Sequence, residues 1–165
     1  MKRNIQTFLK KTLWMALWLL LGVALSLLIK FTVSPMHIVG DSMNPTLTSG
    51  EVYRSSTSFS AGDIRIGTIA AFKPDGSKLH YIKRVVAIPG DSVEITDGIL
   101  YVNDVQSPYQ FEPIINGGIV QDTRIVLGTD EYFCMGDNRN NSEDSRTLGP
   151  IRLSQFTNIL KNKLL

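Results

Sequence analysis

The chain has 165 residues, of which 43% are hydrophobic, and a net charge of +2 at pH 7. This length allows one ordinary domain with a sizeable core. The 17 basic residues do not form a stripe with interleaved aromatic residues, which argues against a nucleic-acid partner. Cys134 is the only cysteine, beside two histidines. We therefore expect no intrachain disulfide, no metal site and no cofactor.

The N-terminal segment predicts a membrane anchor. An uncharged apolar run extends from Thr12 to Ile29, long enough as a helix to cross a hydrocarbon core of roughly 30 Å. Four basic residues precede this run, no acidic residue occurs before Asp41, and Lys30 alone follows closely. The positive-inside rule then predicts a cytoplasmic N-terminus at 1–11, a single-pass plasma-membrane anchor at 12–33 and an extracytoplasmic domain at 34–165.

Two other interpretations of this run are weaker. A cleaved signal peptide has a shorter apolar region, of about 7 to 15 residues, followed by a small-x-small site. Here Lys30, Phe31 and Thr32 follow the run. A buried core helix is also less consistent, because no polar face recurs at helical spacing.

Beyond Pro35 the pattern predicts a mainly β domain. Runs rich in β-branched residues alternate with Gly, Pro and Asp, which is typical of strands; they lie at 68–72, 81–88, 93–95, 99–102 and 124–127. Thr96-Asp97-Gly98 predicts a hairpin turn between two of them, because Asp-Gly accepts positive φ. The expected fold is a folded antiparallel sheet or partly open barrel.

Three further segments have no strand pattern. Composition predicts loops at 55–60 and 116–118. The C-terminal segment LSQFTNILKNKLL has the spacing of a short amphipathic helix on the domain or membrane surface, and equally that of core packing with a frayed end.

Ser42 lies in the first of three polar motifs, GDSMNPTL at 40–47, which we call the serine box. A serine that follows glycine and shortly precedes proline is held in an accessible turn, which suits a nucleophile. Ordinary turn chemistry explains this pattern equally well.

Lys83 lies in the second motif, YIKRVVAIPGD at 81–91, the lysine box. Period-two alternation places Tyr81, Lys83 and Val85 on one face of a strand and Arg84 on the other. A lysine on so apolar a strand is either an edge residue with a snorkelling side chain or a desolvated functional group. The motif by itself favours the edge residue.

The third motif, GDNRNNSEDSR at 136–146, is the acidic box. So many donors and acceptors in one segment suit a loop that braces a site by hydrogen bonds and ion pairs. A solvated surface loop has the same composition.

Together the three boxes, in this order, resemble those of the bacterial type I signal peptidase family, especially its short Gram-positive-like form. The resemblance extends from the anchor to about Pro150. It implies a membrane-bound serine endopeptidase that cleaves signal peptides from exported preproteins after small-x-small sites. The implied partners are secretory preproteins and membrane lipid, with proximity to the Sec translocon.

The resemblance also assigns residue roles. It implies that Ser42 is the nucleophile, that Lys83 is its general base and that Ser142 assists the lysine. It further implies that Arg84 pairs with an acid of the acidic box. The residues expected to support the site or its oxyanion hole are Gly40, Asp41, Arg84, Asp137, Ser142, Asp144 and Arg146.

Three positions depart from the family pattern. At the position of Gly40, Gram-negative members have a serine, and the hydroxyl of that serine completes the oxyanion hole. In this chain only backbone donors such as the Ser42 N–H are assured. Thr68 and Asn140 occupy positions that are usually acidic. None of these changes removes a catalytic group, and we expect an active enzyme.

A lysine can act as a base only when it is neutral. The pKa of Lys83 must therefore fall well below its ordinary value of about 10.4, and burial would lower it. A nearby carboxylate would raise it, so we expect Asp137 and Asp144 to pair with Arg84, Arg139 or Arg146. A Ser-His-Asp triad is a weaker interpretation, because His80 falls on the strand face opposite Lys83.

Two segments could bind the substrate. An extended peptide could pair with the chain near 38–40 or 81–83 and present small side chains to shallow apolar pockets.

Two rival functions fit the sequence less well. A self-cleaving repressor would have a helix-turn-helix instead of an anchor. A non-catalytic or specialised relative for pilus or surface-protein assembly would have lost Ser42 or Lys83, and both are present.

Overall fold

The structure is a computed structural model that describes residues 2–32 and 34–164, with side chains described at 10–26 and 34–164. Apart from short 3₁₀ turns, the elements of this part are α1 (Lys2–Thr32), β1 (Ser34–His37), β2 (Val52–Ser56), β3 (Ile69–Phe72), β4 (Tyr81–Ala87), β5 (Ser92–Thr96), β6 (Ile99–Val102), β7 (Val105–Gln106), β8 (Ile125–Val126), β9 (Glu131–Met135), α2 (Ser145–Leu148), β10 (Ile151–Arg152) and β11 (Phe156–Lys163).

Helix α1 covers most of the predicted anchor and forms a compact unit separate from the strands. Within the part of the chain that the structure describes, no helix has both the length and the apolar character needed to cross a membrane. The predicted anchor at 12–33 includes the side chains of 27–33, which lie outside the described residues. The single-pass topology stays a prediction.

The rest of the chain is mainly β, as predicted. Its described residues form a seven-stranded sheet in the order β1-β2-β11-β3-β4-β9-β10 and a four-stranded sheet in the order β7-β6-β5-β8. The strand pairings among β2 to β11 are antiparallel. Strand β4 lies inside the larger sheet, between β3 and β9, so the lysine box is not at a sheet edge.

Most of the predicted strands are present within a residue or two of their expected bounds. The predicted hairpin joins β5 to β6, with Thr96 opposite Ile99. Asp97 and Gly98 have φ of 51° and 74°, the left-handed conformations that a two-residue turn of this kind requires.

Of the two alternatives for the C-terminal segment, the amphipathic helix is wrong, whereas core packing agrees with the structure. Residues 156–163 form β11, which pairs with β2 on one side and β3 on the other. Phe156, Ile159 and Leu160 are all buried, a spacing that suits a helix in a regular chain. Here irregularities at 156–158 and 160–163 shift the register of β11 and bring these residues to the core without helical geometry.

Several strands were not predicted, among them β2 and β9. Strand β2 takes Ser55 and Ser56 from the predicted loop at 55–60, because they pair with Leu160 and Ile159 of β11. Strand β9 supplies Phe133, Cys134 and Met135, which are fully buried. Its uniform burial produces no period-two alternation by which it could be recognised.

Strand β4 is buried on both faces, which decides the environment of the lysine box. Val86 packs in a cluster with residues of β5, β6 and β9. Its neighbour Val85 packs in a second cluster with Phe72 and Phe156. Because consecutive strand residues point to opposite faces, Lys83 and Arg84 enter opposite sides of a sheet that has apolar packing on both. Both are buried.

Candidate active site

Ser42 lies in the turn that follows β1. Buried Met43 and Leu47 anchor this turn in an apolar cluster, and the Leu47 N–H donates to the Met43 carbonyl at 3.0 Å. The acidic box holds the turn from the other side. The Asn138 backbone N–H donates to the Ser42 carbonyl at 3.1 Å, and the Asn138 side-chain amide donates to the Asp41 carbonyl at 3.1 Å. The apolar cluster on one side and the acidic box on the other therefore fix the position of the serine.

The side chains of Lys83 and Ser42 meet. Lys83 Nζ lies 2.6 Å from Ser42 Oγ, although the two residues are 41 apart in sequence. Lys83 is only 3% exposed, so the prediction of an edge or snorkelling lysine, favoured by the motif alone, is wrong. The hydroxyl and the amine are within reach for direct proton transfer.

Burial lowers the pKa of Lys83, because desolvation penalises the ammonium form. The carboxylates of Asp144 and Glu143 act in the opposite direction and the Arg146 guanidinium acts in the same direction, but burial has the largest effect. The Cys134 thiol on the neighbouring strand stays protonated, because complete burial raises its pKa. The environment thus shifts Lys83 toward the neutral amine, the form that can accept a proton.

Two buried ion pairs take up the two buried carboxylates of the acidic box. Arg84 Nε and Nη2 donate to the two oxygens of Asp137 at 2.9 and 2.7 Å. Arg146 Nε and Nη2 donate to the two oxygens of Asp144 at 2.8 Å each. Both carboxylates have fully buried side chains. These bidentate pairs leave Lys83 outside any ion pair within the described residues.

A cleft of about 410 Å³ opens at Ser42 and Lys83. One wall is the segment 36–40, and the opposite wall is the start of β4. The pairing of β4 with β9 begins at Arg84, so Tyr81, Ile82 and Lys83 extend beyond the end of that partner strand. The cleft is therefore bordered by a stretch of strand that is open on one side.

Comparisons with known proteins show the family to which the chain belongs. The family model described as "Signal peptidase, peptidase S26" matches residues 11–162. The chain belongs to this family. It is a signal peptidase, a serine endopeptidase of the signal peptidase I type. Signal peptidase I of Bacillus licheniformis is 36% identical over 141 residues, 78% of this chain and 74% of the relative.

Two further relatives illustrate the range of the likeness. The probable signal peptidase I-1 of a Synechocystis species is 37% identical over 141 residues, covering 79% of this chain and 71% of the relative. A crystal structure of signal peptidase I from Enterococcus faecalis covers 61% of this chain and 96% of its own, at 23% identity and a TM-score of 0.43.

Ser142, expected in this signal peptidase to assist the lysine, makes no hydrogen bond with it. Its hydroxyl is buried and has no hydrogen-bond partner among the described residues. Ser142 instead packs against Gly136: a β-carbon on that glycine would lie 2.2 Å from Ser142 Oγ and 2.4 Å from the Ser42 carbonyl oxygen. The assistance predicted for Ser142 stays a prediction.

Gly136 was missed as a site residue, although it opens the acidic box. It leaves the space in which the Ser42 peptide and Ser142 come together, and its N–H donates to Asp144 Oδ2 at 3.0 Å. The only signal in the sequence was the glycine itself at the start of the acidic box, since a close approach of backbone and side chain leaves no room for a β-carbon.

Gly40 and Asp41 lie on the exposed side of the nucleophile turn. Gly40 has a φ of 92°, which a serine would adopt only with strain. Its N–H donates to Ser49 Oγ at 3.3 Å. Asp41 Oδ1 accepts from the Asn44 side-chain amide at 3.3 Å. Both residues shape the turn, and a role in the oxyanion hole stays a prediction.

Arg139 and Asn140 complete the acidic box. Arg139 is buried but pairs with neither aspartate, contrary to one of the alternatives considered for it; it donates to Met135 Sδ at 2.9 Å and to the Tyr109 carbonyl. Asn140 donates to the Pro113 carbonyl at 3.0 Å and accepts from the Ile115 N–H at 3.0 Å. An aspartate could not make the first of these bonds, which explains this departure from the family pattern.

The two histidines line the cleft but form no triad. His80 Nδ1 lies 3.4 Å from Thr157 Oγ1. In the part of the chain that the structure describes, neither His80 nor His37 makes a hydrogen bond to Ser42 or to an aspartate. The described residues also hold no cluster of acidic, histidine or cysteine side chains that could bind a metal ion.

Proposed function

We propose that this signal peptidase cleaves preproteins with Ser42 as nucleophile and Lys83 as general base. The observation that carries the proposal is the 2.6 Å contact between Ser42 Oγ and Lys83 Nζ in surroundings that shift the lysine toward its neutral form. Neutral Lys83 takes the hydroxyl proton as Ser42 Oγ attacks the scissile carbonyl. The resulting ammonium then donates that proton to the departing amine as the peptide bond breaks.

The second half of the reaction uses the same residues. Lys83, again neutral, takes a proton from a water molecule that attacks the acyl ester. When the tetrahedral intermediate collapses, Ser42 regains its proton from Lys83 and the signal peptide leaves with a new carboxylate. The Ser42 N–H is the donor that we assign to the oxyanion. The Arg84–Asp137 pair supports the site by joining the lysine box to the acidic box, and the Arg146–Asp144 pair braces the acidic box from within.

The substrate segment would bind in the cleft as an extended strand. The open stretch 81–83 of β4 offers backbone groups for pairing, and segment 38–40 offers a second strand opposite. Apolar side chains, including Met36, Ile38 and Ile82, line the cleft. An extended peptide presents alternate side chains to one wall. This arrangement supports cleavage after small-x-small sites, in which small residues occupy the first and third positions before the cut.

The proposal includes a location at the plasma membrane, with 1–11 cytoplasmic, 12–33 as anchor and 34–165 extracytoplasmic. Its support is the uncharged run from Thr12 to Ile29 and the excess of basic residues before it. Membrane lipid and neighbouring translocation machinery would then be natural partners. An anchored enzyme and an anchored preprotein meet at raised effective concentration.

The test is cleavage of a preprotein by the detergent-solubilised enzyme, with the new N-terminus read by mass spectrometry. Ser42→Ala and Lys83→Met should each abolish cleavage and keep the melting temperature near that of the wild type, because methionine fills the lysine's place in the core. Lys73→Met, at an exposed lysine, is the matched control and should cleave normally. Turnover near the wild-type rate by the Ser42 or Lys83 variant would refute the dyad.

A further inference from the structure

Glu143 is the acidic side chain of the substrate cleft. Among the described residues that line it, Glu143 alone is acidic, and the basic ones are His37, His80 and Lys83. Its carboxylate is held at the cleft wall, because the Tyr81 hydroxyl donates to Glu143 Oε2 at 3.0 Å. Tyr81 precedes Lys83 by two residues on the same strand. The acidic box and the lysine box are therefore joined at the cleft wall.

This carboxylate differs from its neighbours in the acidic box. Asp137 and Asp144 are buried, and each is neutralised by an arginine. Glu143 is exposed and forms no ion pair within the described part of the chain. Its charge therefore acts on the contents of the cleft without a neutralising partner, whereas the charge of each aspartate is offset by an arginine.

We propose that Glu143 is a specificity-determining residue, which disfavours acidic side chains in the substrate segment just before the cut and favours neutral or basic ones. The inference rests on the proposed function, because it assigns a preference to the same cleft. Repulsion between the Glu143 carboxylate and a substrate carboxylate about 6 Å away in water would weaken binding by about threefold. Salt at 1 M, with a Debye length of about 3 Å, should remove most of that effect.

The same carboxylate acts on the general base. The ionisable groups that face Lys83 are Tyr81 on its own strand, Cys134 on β9, and Glu143, Asp144 and Arg146 of the acidic box. His37 and His80 share the cleft with it. The Glu143 carboxylate raises the pKa of Lys83. Removing that negative charge must lower this pKa, so the rise of kcat/KM with pH should move to lower pH.

The experiment compares three peptides that differ only in the residue between the two small residues of the cleavage site. That residue is Glu, Gln or Lys. For the wild type, kcat/KM should be about threefold lower for the Glu peptide than for the Gln peptide, and 1 M salt should abolish the difference. In Glu143→Gln the three peptides should become nearly equal. With the Gln peptide, the pH profile of this variant should shift downward.

Two control variants make the outcome decisive. Asp130→Asn removes one exposed acid on the turn before β9, outside the cleft, and should keep both the discrimination and the pH profile. Tyr81→Phe removes the hydrogen bond and keeps the Glu143 charge, so part of the discrimination should remain. An active Glu143→Gln enzyme with wild-type discrimination would overturn the inference and leave the dyad intact. Discrimination that persists at 1 M salt would overturn it too, whereas activity in Ser42→Ala would refute the dyad instead.

Discussion

Replacing Gly136 by alanine tests how the nucleophile turn and the acidic box fit together. The added β-carbon would lie 2.2 Å from Ser142 Oγ and 2.4 Å from the Ser42 carbonyl oxygen. Non-bonded atoms of this kind ordinarily stay about 3.5 Å apart, so each contact is short by about 1 Å. A rotamer change of Ser142 would move its hydroxyl but not its β-carbon, which would lie 2.6 Å from the added carbon. The Ser42 carbonyl belongs to the backbone and is held by the Asn138 N–H at 3.1 Å, so the nucleophile itself must move.

A displacement of about 1 Å at a reacting group can cost about 100-fold in rate, and overpacking costs about 1–3 kcal/mol of stability. We therefore expect Gly136→Ala to fold, to melt at a lower temperature and to lose about 100-fold in kcat/KM. The assay is cleavage of a fluorogenic signal-site peptide in detergent, with thermal unfolding measured in parallel.

Two comparisons isolate the cause. Gly62→Ala is the matched control, because its β-carbon would meet only Ser60 Oγ at 3.9 Å, and its stability should change by less than about 0.5 kcal/mol. Adding Ser142→Ala to Gly136→Ala removes the hydroxyl contact but keeps the contacts with the β-carbon of residue 142 and with the Ser42 carbonyl, so activity should stay low. Wild-type kcat/KM in Gly136→Ala would show that the Ser42 peptide is not held as described. Full recovery in the double variant would place the effect at Ser142 alone.

Two further predictions concern pH and the buried ion pairs. Because burial lowers the pKa of Lys83 and the base must be neutral, kcat/KM should rise with pH, with its midpoint below the ordinary lysine pKa of about 10.4. This rise should stay in place when His37 and His80 are both replaced by glutamine. Its disappearance in that double variant would point to a histidine base. Asp144→Asn leaves Arg146 buried without its carboxylate. The free energy of unfolding in urea should fall by about 3–5 kcal/mol, and turnover should fall with it. Unchanged stability and turnover would mean that the pair contributes to neither.

Local sequence patterns predicted those parts of the fold that depend on short-range chemistry. The Asp97-Gly98 hairpin follows from the backbone conformations that these residues accept. The strands at Ile69–Phe72 and Ile99–Val102 follow from β-branched residues between turn signals. The C-terminal strand could not be recognised, because a helix and an irregular strand can bury the same three residues. Strand β9 could not be recognised because it is buried on both faces.

The three boxes by themselves determined the family and named Ser42 and Lys83, because the order and content of such motifs depend only on the chain. The tertiary structure decided which aspartate meets which arginine, that Arg139 meets neither, that Gly136 must lack a side chain and that Glu143 faces the cleft. Lys83 and Arg84 are adjacent in sequence, yet one meets Ser42 and the other Asp137. Alternation sends them to opposite faces, and what each face meets depends on the packing of segments that are distant in the chain.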